Sequence, residues 1–470
     1  MPTGRGPLDG ISVALQAAGR PYAVAAGLLS GLGATVGDPT GPGARLIPAP
    51  GLRESGRGPV DEGLPDGTLD HATGVALATA ALAGWRSGTL VGVSELGVAI
   101  EVWLPEVMAA AYGSPTAMRP RPPAAAPGGG WLNLDLGAAG DAADYERLLA
   151  TLAVGSDAAT VAAAAQEWRL PVCDYRPVEP GPAAAPLRFE TGGGRVPAAG
   201  RSPAGDLAVC DLTTMWAGPL ATRLLQDLGA EIHKVEPAFR PDGMRAVAGA
   251  GIHPGGVQVE PGRDSAMWNA LNTGKHHVDL DLRDPEQMDR FVALASACDV
   301  VIDSFSPRVM PNFGLEDRLG DGPLRVSMPA FPPGPRRHWV AYGTGVHAAC
   351  GLGRRADGTV WAPAVSYPDP LAGLTGALAV MAGVVARQAG VAVTRVEATL
   401  AGAVGPLTGL RSPARVAERG SGGGAGGPGV GAVLLETAEA EDLMTVRRVG
   451  GRDLLHPTGP FRPLPAPAPG

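Results

Sequence analysis

The spacing of apolar residues along this chain follows two patterns, one typical of strands and one typical of helices. Residues 207–237 give the clearest example of both. Val209 and Leu212 lie in a short apolar run that predicts a buried strand. Four leucines then recur at helical spacing, after Pro219 at a first helical position and before Gly229 at the helix end. A second apolar run follows. The segment therefore predicts one strand–helix–strand unit, the building block of a parallel sheet.

The strand and helix patterns continue to about residue 410. Strands are predicted over 277–282, 300–303 and 324–331, and helices over 284–297 and 371–385. Because strands alternate with helices, the chain belongs to the α/β class with a parallel sheet. No G-x-G-x-x-G pattern follows the first strand, so a dinucleotide cradle of that kind is not indicated.

Two stretches rich in proline, alanine and glycine, 120–130 and 181–205, divide the chain. Between them, a strand over 131–136, a helix over 145–165 and a last short strand predict a small α+β domain. Residues 420–431 form a glycine-rich loop, and the tail at 432–448 is predicted to add strand. The predicted units are residues 1–118, a small domain at 131–180, a linker at 181–205 and a large domain at 206–470.

Short segments near the N-terminus match later segments in the same order, which suggests an internal duplication. The matched pairs are 28–34 with 224–230, 70–74 with 369–373, and 100–104 with 396–400. Residues 1–118 are then a degenerate partial copy of the large domain, best matched over 1–115, that lacks the middle part at 269–328. Chance similarity between helices rich in Ala, Leu and Gly is the alternative.

Composition narrows the class of protein. A chain of 470 residues with 45% hydrophobic and 18% charged residues fits a globular protein of two or three domains. The net charge of −8 argues against nucleic acid, so a polyanion would need a local basic pocket. The four cysteines are scattered without C-x-x-C pairs, and Cys210 and Cys298, which lie in apolar runs, are expected to be buried thiols. Without a recognisable signal peptide or membrane-length apolar run, we expect a cytoplasmic protein with no membrane partner.

The strand–helix–strand unit resembles the opening of family III CoA-transferases, the CaiB/BaiF-like family that includes formyl-CoA transferase and carnitine CoA-transferase. The matching pieces are Asp211-Leu212-Thr213, Ala217-Gly218-Pro219, Leu228-Gly229-Ala230 and Lys234-Val235-Glu236-Pro237. The resemblance continues over residues 206–410. It implies a Rossmann-like parallel sheet with helices on both faces and a smaller α+β domain. It also implies acyl-CoA and carboxylic acid substrates, a homodimer and no metal.

Asp369 is the strongest candidate for chemistry. It precedes an apolar helix rich in Ala and Gly, with Pro370 in the first turn, and spacing alone favours a helix cap. The family places its nucleophilic aspartate at D-x-x-A/S-G opening this helix, so the resemblance implies a catalytic carboxylate. Such a carboxylate can attack a thioester, form a mixed anhydride and then an aspartyl-CoA thioester. Asp70, in the degenerate copy, is expected to be only a helix cap.

The resemblance also implies a set of CoA contacts on loops and turns that follow strands. Its members are Trp216, Ala217, Arg245, Asn272, Lys275, Phe305 and Arg308. Each cation could instead be a solvated surface charge, and the two aromatic residues could simply pack in the core.

Several positions depart from the family pattern. Ser304 stands where relatives often have Asn, and Tyr342-Gly343 stands where related racemases have His-Asp, so half of the proton-transfer machinery is missing. His338 and His347 are near, but a lone His beside arginines is expected at the surface. An acyl-CoA racemase or isomerase, and a non-catalytic CoA-binding scaffold, remain alternatives to a CoA-transferase.

Overall fold

A computed structural model describes residues 6–15, 19–37, 43–47, 58–61, 63–112, 120–135, 155–178, 184–192, 207–245, 264–355, 357–408, 430–449 and 452–464. Within these residues the chain forms two largely parallel sheets, a three-stranded antiparallel sheet and a two-stranded hairpin. Helices cover both faces of the larger sheet. The predicted α/β class, with a Rossmann-like sheet and a smaller α+β unit, is confirmed.

The elements are numbered here in chain order. The strands are β1 (Ser12–Leu15), β2 (Thr35–Gly37), β3 (Gly43–Ile47), β4 (Leu90–Ser94), β5 (Ala124–Ala125), β6 (Trp131–Leu134), β7 (Val172–Asp174), β8 (Arg188–Thr191), β9 (Ala208–Leu212), β10 (Glu231–Val235), β11 (His276–Val278), β12 (Val300–Asp303), β13 (Leu324–Ser327), β14 (Val393–Glu397), β15 (Met444–Val449), β16 (Arg452–Pro457) and β17 (Phe461–Leu464). The helices are α1 (Arg20–Gly31), α2 (Gly58–Asp61), α3 (Thr68–Ser87), α4 (Glu95–Val102), α5 (Leu104–Tyr112), α6 (Ala158–Glu167), α7 (Ala217–Asp227), α8 (Ala266–Asn272), α9 (Pro285–Ala297), α10 (Val309–Asn312), α11 (Leu315–Leu319), α12 (Gly343–Ala349), α13 (Pro368–Gln388), α14 (Leu400–Val404) and α15 (Val430–Ala440). Short 3₁₀ turns lie at Gly243–Arg245 and Gly405–Leu407.

The larger sheet has the strand order β11-β10-β9-β12-β13-β14-β8. Neighbouring strands are parallel, except that β8 runs antiparallel to β14. The chain moves outward from β9 to β10 on one side and later to β12 on the other, so the direction of winding reverses between β9 and β12. In open α/β sheets, ligands bind outside the carboxyl ends of the strands at such a reversal.

Alternate residues of the central strands point to opposite faces and build two separate cores. On one face, Val209 and Ile302 pack with the residues of α7 and α13. On the other, Cys210 and Val301 pack with Phe291 of α9 and with the leucines of α11. Burial of both faces explains why these strands are continuous apolar runs in the sequence.

Helix α13 is the central helix of the molecule. By length and composition it could cross a membrane, but its most apolar window is wholly buried inside the protein, against α7 on one side and α3 on the other. The buried helix predicted over 371–385 is confirmed. A helix of this kind is buried all round because it lies between two sheets.

The first sheet repeats the arrangement of the larger one in reduced form. Its order is β17-β4-β3-β1-β2, with parallel neighbours and an antiparallel end strand β17 beside β4, as β8 lies beside β14. Helix α3 packs on α1 as α13 packs on α7. This is the topology that the predicted duplication requires, with five strands instead of seven. One matched pair is wrong, since residues 100–104 lie at the α4–α5 junction whereas Val396 and Glu397 end β14.

Both proline- and glycine-rich stretches contain strand, contrary to the prediction of plain linkers. Residues 188–191 form β8, where Phe189 packs against the core, because the open edge of β14 offers unpaired backbone groups. Ala124 and Ala125 form β5, which pairs with β6. In the small domain the helix is described from Ala158 to Glu167, and the predicted helical residues 145–154 lie outside the described part.

The tail folds differently from the strand predicted over 432–448. Residues 430–440 form α15, whose Val430, Leu434 and Ala438 are buried at helical spacing against α4 and α5. The following strands β15 and β16 form a separate hairpin, and β17 joins the first sheet. The chain therefore returns to its N-terminal half after completing the larger sheet.

Candidate active site

The first turn of α13 carries Asp369 at the carboxyl edge of the larger sheet. The helix leads into β14, a strand parallel to β13, so its N-terminal end lies at the edge where these strands end. The residue that caps the helix is Tyr367, and its side chain makes no capping hydrogen bond. Asp369 itself lies one residue inside the helix, so the alternative that it is the N-cap is not supported.

The Asp369 carboxylate is held by two donors on one oxygen. The Ser366 hydroxyl donates to Oδ2 at 2.7 Å, and the Gly343 N–H donates to the same oxygen at 3.3 Å. A Cβ at position 343 would lie 2.5 Å from that oxygen, so only glycine fits there. Among the described residues, no hydrogen bond to the other oxygen, Oδ1, is present.

Burial, with a smaller contribution from the negative charge of Asp135, raises the pKa of Asp369 to about 7, while the Ser366 and Gly343 hydrogen bonds act in the opposite direction. The side chain therefore changes between acid and carboxylate near neutral pH. A perturbed carboxyl group at the carboxyl edge of a parallel sheet is typical of a catalytic group.

Asp135 is a site residue that the sequence analysis missed. It follows β6 in the small domain and accepts hydrogen bonds from the Thr344 hydroxyl and, at 3.1 Å, from the Gly345 N–H. Its only signal in the sequence is an acid directly after an apolar strand. Ser366, which holds Asp369, had no signal beyond its closeness in the chain.

His347 is buried beneath this site, contrary to the surface position expected for it. Its Nδ1 lies 2.9 Å from the Tyr367 hydroxyl and its Nε2 lies 3.2 Å from the Trp361 carbonyl oxygen. Burial lowers the pKa of His347 to about 4, so the ring is neutral near pH 7. Tyr342 and Gly343, at the place where related racemases have His-Asp, begin α12 and offer no histidine.

The side chain of Lys275, predicted to contact a CoA phosphate, points into the protein interior. Its Nζ donates to Asp211, to the Thr222 hydroxyl, to the Pro219 carbonyl oxygen and to Asn272 Oδ1, at 2.8–3.3 Å. Burial lowers the pKa of Lys275 to about 7. Burial of Asp211 is outweighed by Lys234 and Lys275, which hold its pKa at about 2.

With four acceptors and no exposed side chain, Lys275 does not fit the predicted phosphate contact. Asn272 is buried beside it, and its Nδ2 donates to the Trp268 carbonyl oxygen. Arg245 is also engaged, because it pairs with Glu236 at 2.7 Å and Asp264 at 2.8 Å and stacks on the Trp268 ring at 3.6 Å. These three predicted contacts stabilise the loops rather than face an open surface.

The remaining predicted contacts lie at the winding reversal. The loops after β9 and β12 touch, since the Thr214 N–H donates to Ser304 Oγ at 3.1 Å. Trp216 is 1% exposed, and Ala217 lies under α13, where a Cβ at Gly373 would come within 2.9 Å of its carbonyl oxygen. Phe305 is half-buried. Arg308 is exposed on the β12 loop.

The structure thus brings Asp369, the Trp216–Ala217 turn and the β12 loop to one edge of the sheet. Burial lowers the pKa of the largely exposed His338, and the charges of Arg308, Arg337 and Arg169 lower it further, so cations are concentrated nearby in an acidic protein. In the described part of the chain, no group of three or more His, Cys, Asp or Glu residues is arranged to hold a metal ion.

The fold and site define an α/β protein with a carboxyl group of raised pKa at the carboxyl edge of its larger sheet. Comparison of sequences makes the assignment specific. The profile of "CoA-transferase family III" matches residues 205–440, half of the chain, and the chain belongs to this family. The predicted resemblance over residues 206–410 is confirmed.

Curated relatives match over part of their length. The formyl-CoA:oxalate CoA-transferase of Afipia carboxidovorans is 30% identical over 27% of this chain and 29% of its own. The acetyl-CoA:oxalate CoA-transferase of Acetobacter aceti is 31% identical over 33% and 39%. The succinyl-CoA:glutarate CoA-transferase of Mus musculus is 30% identical over 38% and 41%. The chain therefore spans less than half the length of these relatives.

Two solved structures are similar in part. The hypothetical protein Rv3272 of Mycobacterium tuberculosis is 27% identical, with a TM-score of 0.38 over 46% of this chain and 58% of that one. A CaiB/BaiF family protein of Brucella suis is 24% identical, with a TM-score of 0.35 over 44% and 55%.

Proposed function

We propose that this protein is a CoA-transferase that moves CoA between an acyl-CoA and a carboxylic acid through Asp369. The observation that carries the proposal is the Asp369 carboxyl group, held by Ser366 and Gly343 in the first turn of α13 with a pKa of about 7. Family membership supports the same chemistry. The relatives' names suggest short dicarboxylates as the first acids to test.

The reaction balances without an added oxidant or reductant. The Asp369 carboxylate attacks the thioester carbonyl, which forms a mixed anhydride and releases the CoA thiolate. The thiolate then attacks the Asp369 carbonyl, which gives an aspartyl-CoA thioester and frees the donor acid. The acceptor carboxylate repeats both steps in reverse order and leaves as the new acyl-CoA. The N–H of Gly343 lies where it can stabilise developing charge on the Asp369 oxygen.

We test this proposal by trapping the intermediate. The protein is incubated with an acyl-CoA and then with hydroxylamine or borohydride, and the peptide containing Asp369 is analysed by mass spectrometry. Modification at Asp369 is expected, and D369N should abolish it. D70N is the matched control, because Asp70 lies in the first turn of α3, the counterpart of α13, and its removal should leave the adduct unchanged.

The competing functions give different results in the same experiments. A protein that binds CoA but forms no adduct is a scaffold, which the departures at Ser304 and Gly343 would favour. A racemase or isomerase would exchange the α-proton of an acyl-CoA in D₂O without an acceptor acid. The absence of a histidine at Tyr342 argues against that branch.

Arg308 is proposed as a contact for the CoA phosphates, since it is exposed on the β12 loop beside other cations. R308E should raise the KM for acyl-CoA and leave the stability unchanged. A homodimer and a cytoplasmic location also remain proposals. Light scattering of the purified protein tests the first, and fractionation of the source cells tests the second.

A further inference from the structure

The first turn of α12 contacts two carboxylates that come from different domains. The Gly343 N–H donates to Asp369 Oδ2 at 3.3 Å, and the Gly345 N–H donates to Asp135 Oδ2 at 3.1 Å. Gly343 and Gly345 are the first and third residues of α12, where backbone N–H groups have no partner within the helix. One helical turn therefore binds both carboxyl groups through its free N–H groups.

Asp135 is fitted to this turn. The Thr344 hydroxyl donates to its second oxygen, and the neighbouring Asn133 amide reaches the same hydroxyl. A Cβ at Gly345 would come within 3.2 Å of both Asp135 Oδ2 and Cys173 Sγ, so the absence of a side chain there admits the carboxylate. Both oxygens of Asp135 are thus bound by α12.

We propose that Asp135 is a positioning residue for Asp369: it fixes the turn of α12 that holds the nucleophile, and it places a second negative charge beside it. The inference rests on the proposed function of Asp369. It also makes the small domain part of the active site within the same chain.

The charge has a definite effect on the nucleophile. The negative charge of Asp135 raises the pKa of Asp369, in addition to the larger effect of burial. Burial raises the pKa of Asp135 as well, against the hydrogen bonds from Thr344, Asn133 and Gly345 and the charge of Arg121. Cys173 and Tyr175 are near Asp135, and their raised pKa values keep them neutral. A more basic nucleophile is more reactive once it has lost its proton.

The test measures the ionisation of Asp369 directly in the full-length protein. Aspartate labelled with ¹³C at the carboxyl carbon is titrated by NMR, and D369N identifies the signal of Asp369. In D135N the midpoint should fall by about one pH unit, because a neighbouring negative charge is lost. In D135E, which keeps the charge, the midpoint should stay close to that of the wild type.

A control separates charge from docking of the small domain. The Gln166 side chain joins that domain to the segment before α12, with bonds to the Val340 N–H and carbonyl oxygen and to the Val172 carbonyl oxygen at 2.7–2.9 Å. Q166L removes these bonds without changing a charge and should leave the midpoint unchanged. An unchanged midpoint in D135N, or an equal fall in Q166L, overturns the inference.

Kinetic measurements distinguish the role of Asp135 from the proposed function of Asp369. If wild-type protein forms the Asp369 adduct, D135N should lower kcat about tenfold and shift the pH profile to lower pH, with recovery in D135E. An adduct together with an unshifted D135N titration overturns the role of Asp135 and leaves the transferase proposal intact. A shifted titration without any wild-type adduct supports the coupling of the two carboxyl groups and overturns the transferase proposal.

Discussion

At the scale of single residues, the described structure contains two kinds of buried carboxyl group, one at the candidate site and one bound by cations within the fold. Asp369 is buried with two hydrogen-bond donors and no cation bound to it, whereas Asp211 is buried with two lysines. Burial raises the pKa of both carboxyl groups, but the lysines outweigh it at Asp211, so the two pKa values shift in opposite directions. Of these two groups, only Asp369 changes its protonation near neutral pH.

The raised pKa of Asp369 predicts that this residue costs stability. An unfolded aspartate has a pKa of about 3.9, so between about pH 4 and 7 the folded state binds more protons, and stability falls as pH rises. D369N should therefore be more stable than wild type at pH 8, by about 1–3 kcal/mol, with a smaller difference at pH 5. Urea unfolding at both pH values measures this. D317N, at an exposed position, is the control, and an equal gain in both variants contradicts the prediction.

The buried position of Lys275 predicts a loss of stability rather than of CoA affinity. K275M leaves the Asp211 carboxylate buried with one cation fewer, which should cost about 3–5 kcal/mol in urea unfolding. The double variant K275M/D211N should recover part of this loss. If K275M were stable but raised the KM for acyl-CoA, the lysine would be a phosphate contact after all.

At the scale of elements, close contact between α13 and α7 sets the position of Asp369. Gly373 and Gly376 let α13 approach Ala217, Leu220 and Ala221 of α7. The helix that carries Asp369 therefore rests directly on the turn of the first strand–helix–strand unit. Small residues at this contact are a packing requirement, which explains the Ala- and Gly-rich composition of α13.

We predict that a single methyl group at this contact disturbs the protein. In G373A the new Cβ would lie 2.9 Å from the rigid Ala217 carbonyl oxygen, so α13 must move, at a cost of about 1–3 kcal/mol and with reduced adduct formation. G27A is the control, because a Cβ at Gly27 of α1 meets nothing within 4 Å, and it should stabilise by about 0.5–1 kcal/mol. Thermal unfolding of both variants measures these changes. If G373A and G27A changed the stability equally, the packing argument would be refuted.

Local patterns located the elements but not the contacts between distant ones. Apolar periodicity was sufficient to predict the β9–α7–β10 unit and α13, and the family motif was sufficient to propose Asp369 as the nucleophile. Nothing local could reveal Asp135, because its link to Asp369 arises when the small domain docks on α12. A loop lysine such as Lys275 has the same local sequence whether it faces solvent or Asp211.

At the scale of the whole molecule, the halves that carry the first sheet and the larger sheet share a buried interior. α3 and α13 pack together, and Glu101 of α4 forms a buried ion pair with Arg223 of α7. Burial raises the pKa of the nearby Asp227 to about 7, although Arg223 opposes this effect. The interior between the halves therefore contains both apolar and charged side chains. Each half needs the other to keep these side chains buried.

The buried pair predicts strong coupling between the halves. E101Q leaves the Arg223 guanidinium buried without its carboxylate, which should cost about 3–5 kcal/mol. The double variant E101Q/R223M should be more stable than the sum of the single variants implies. Urea unfolding of all four proteins gives the coupling energy, and additive losses would show that the two residues act independently.

Strand β17 has a consequence for biosynthesis. Residues 461–464 complete the edge of a sheet whose other strands lie within the first hundred residues. A ribosome therefore makes almost the whole chain before the flank of β4 can be covered. Until then an unpaired strand edge is open to other nascent chains, and chaperone demand during translation should concentrate on this early half.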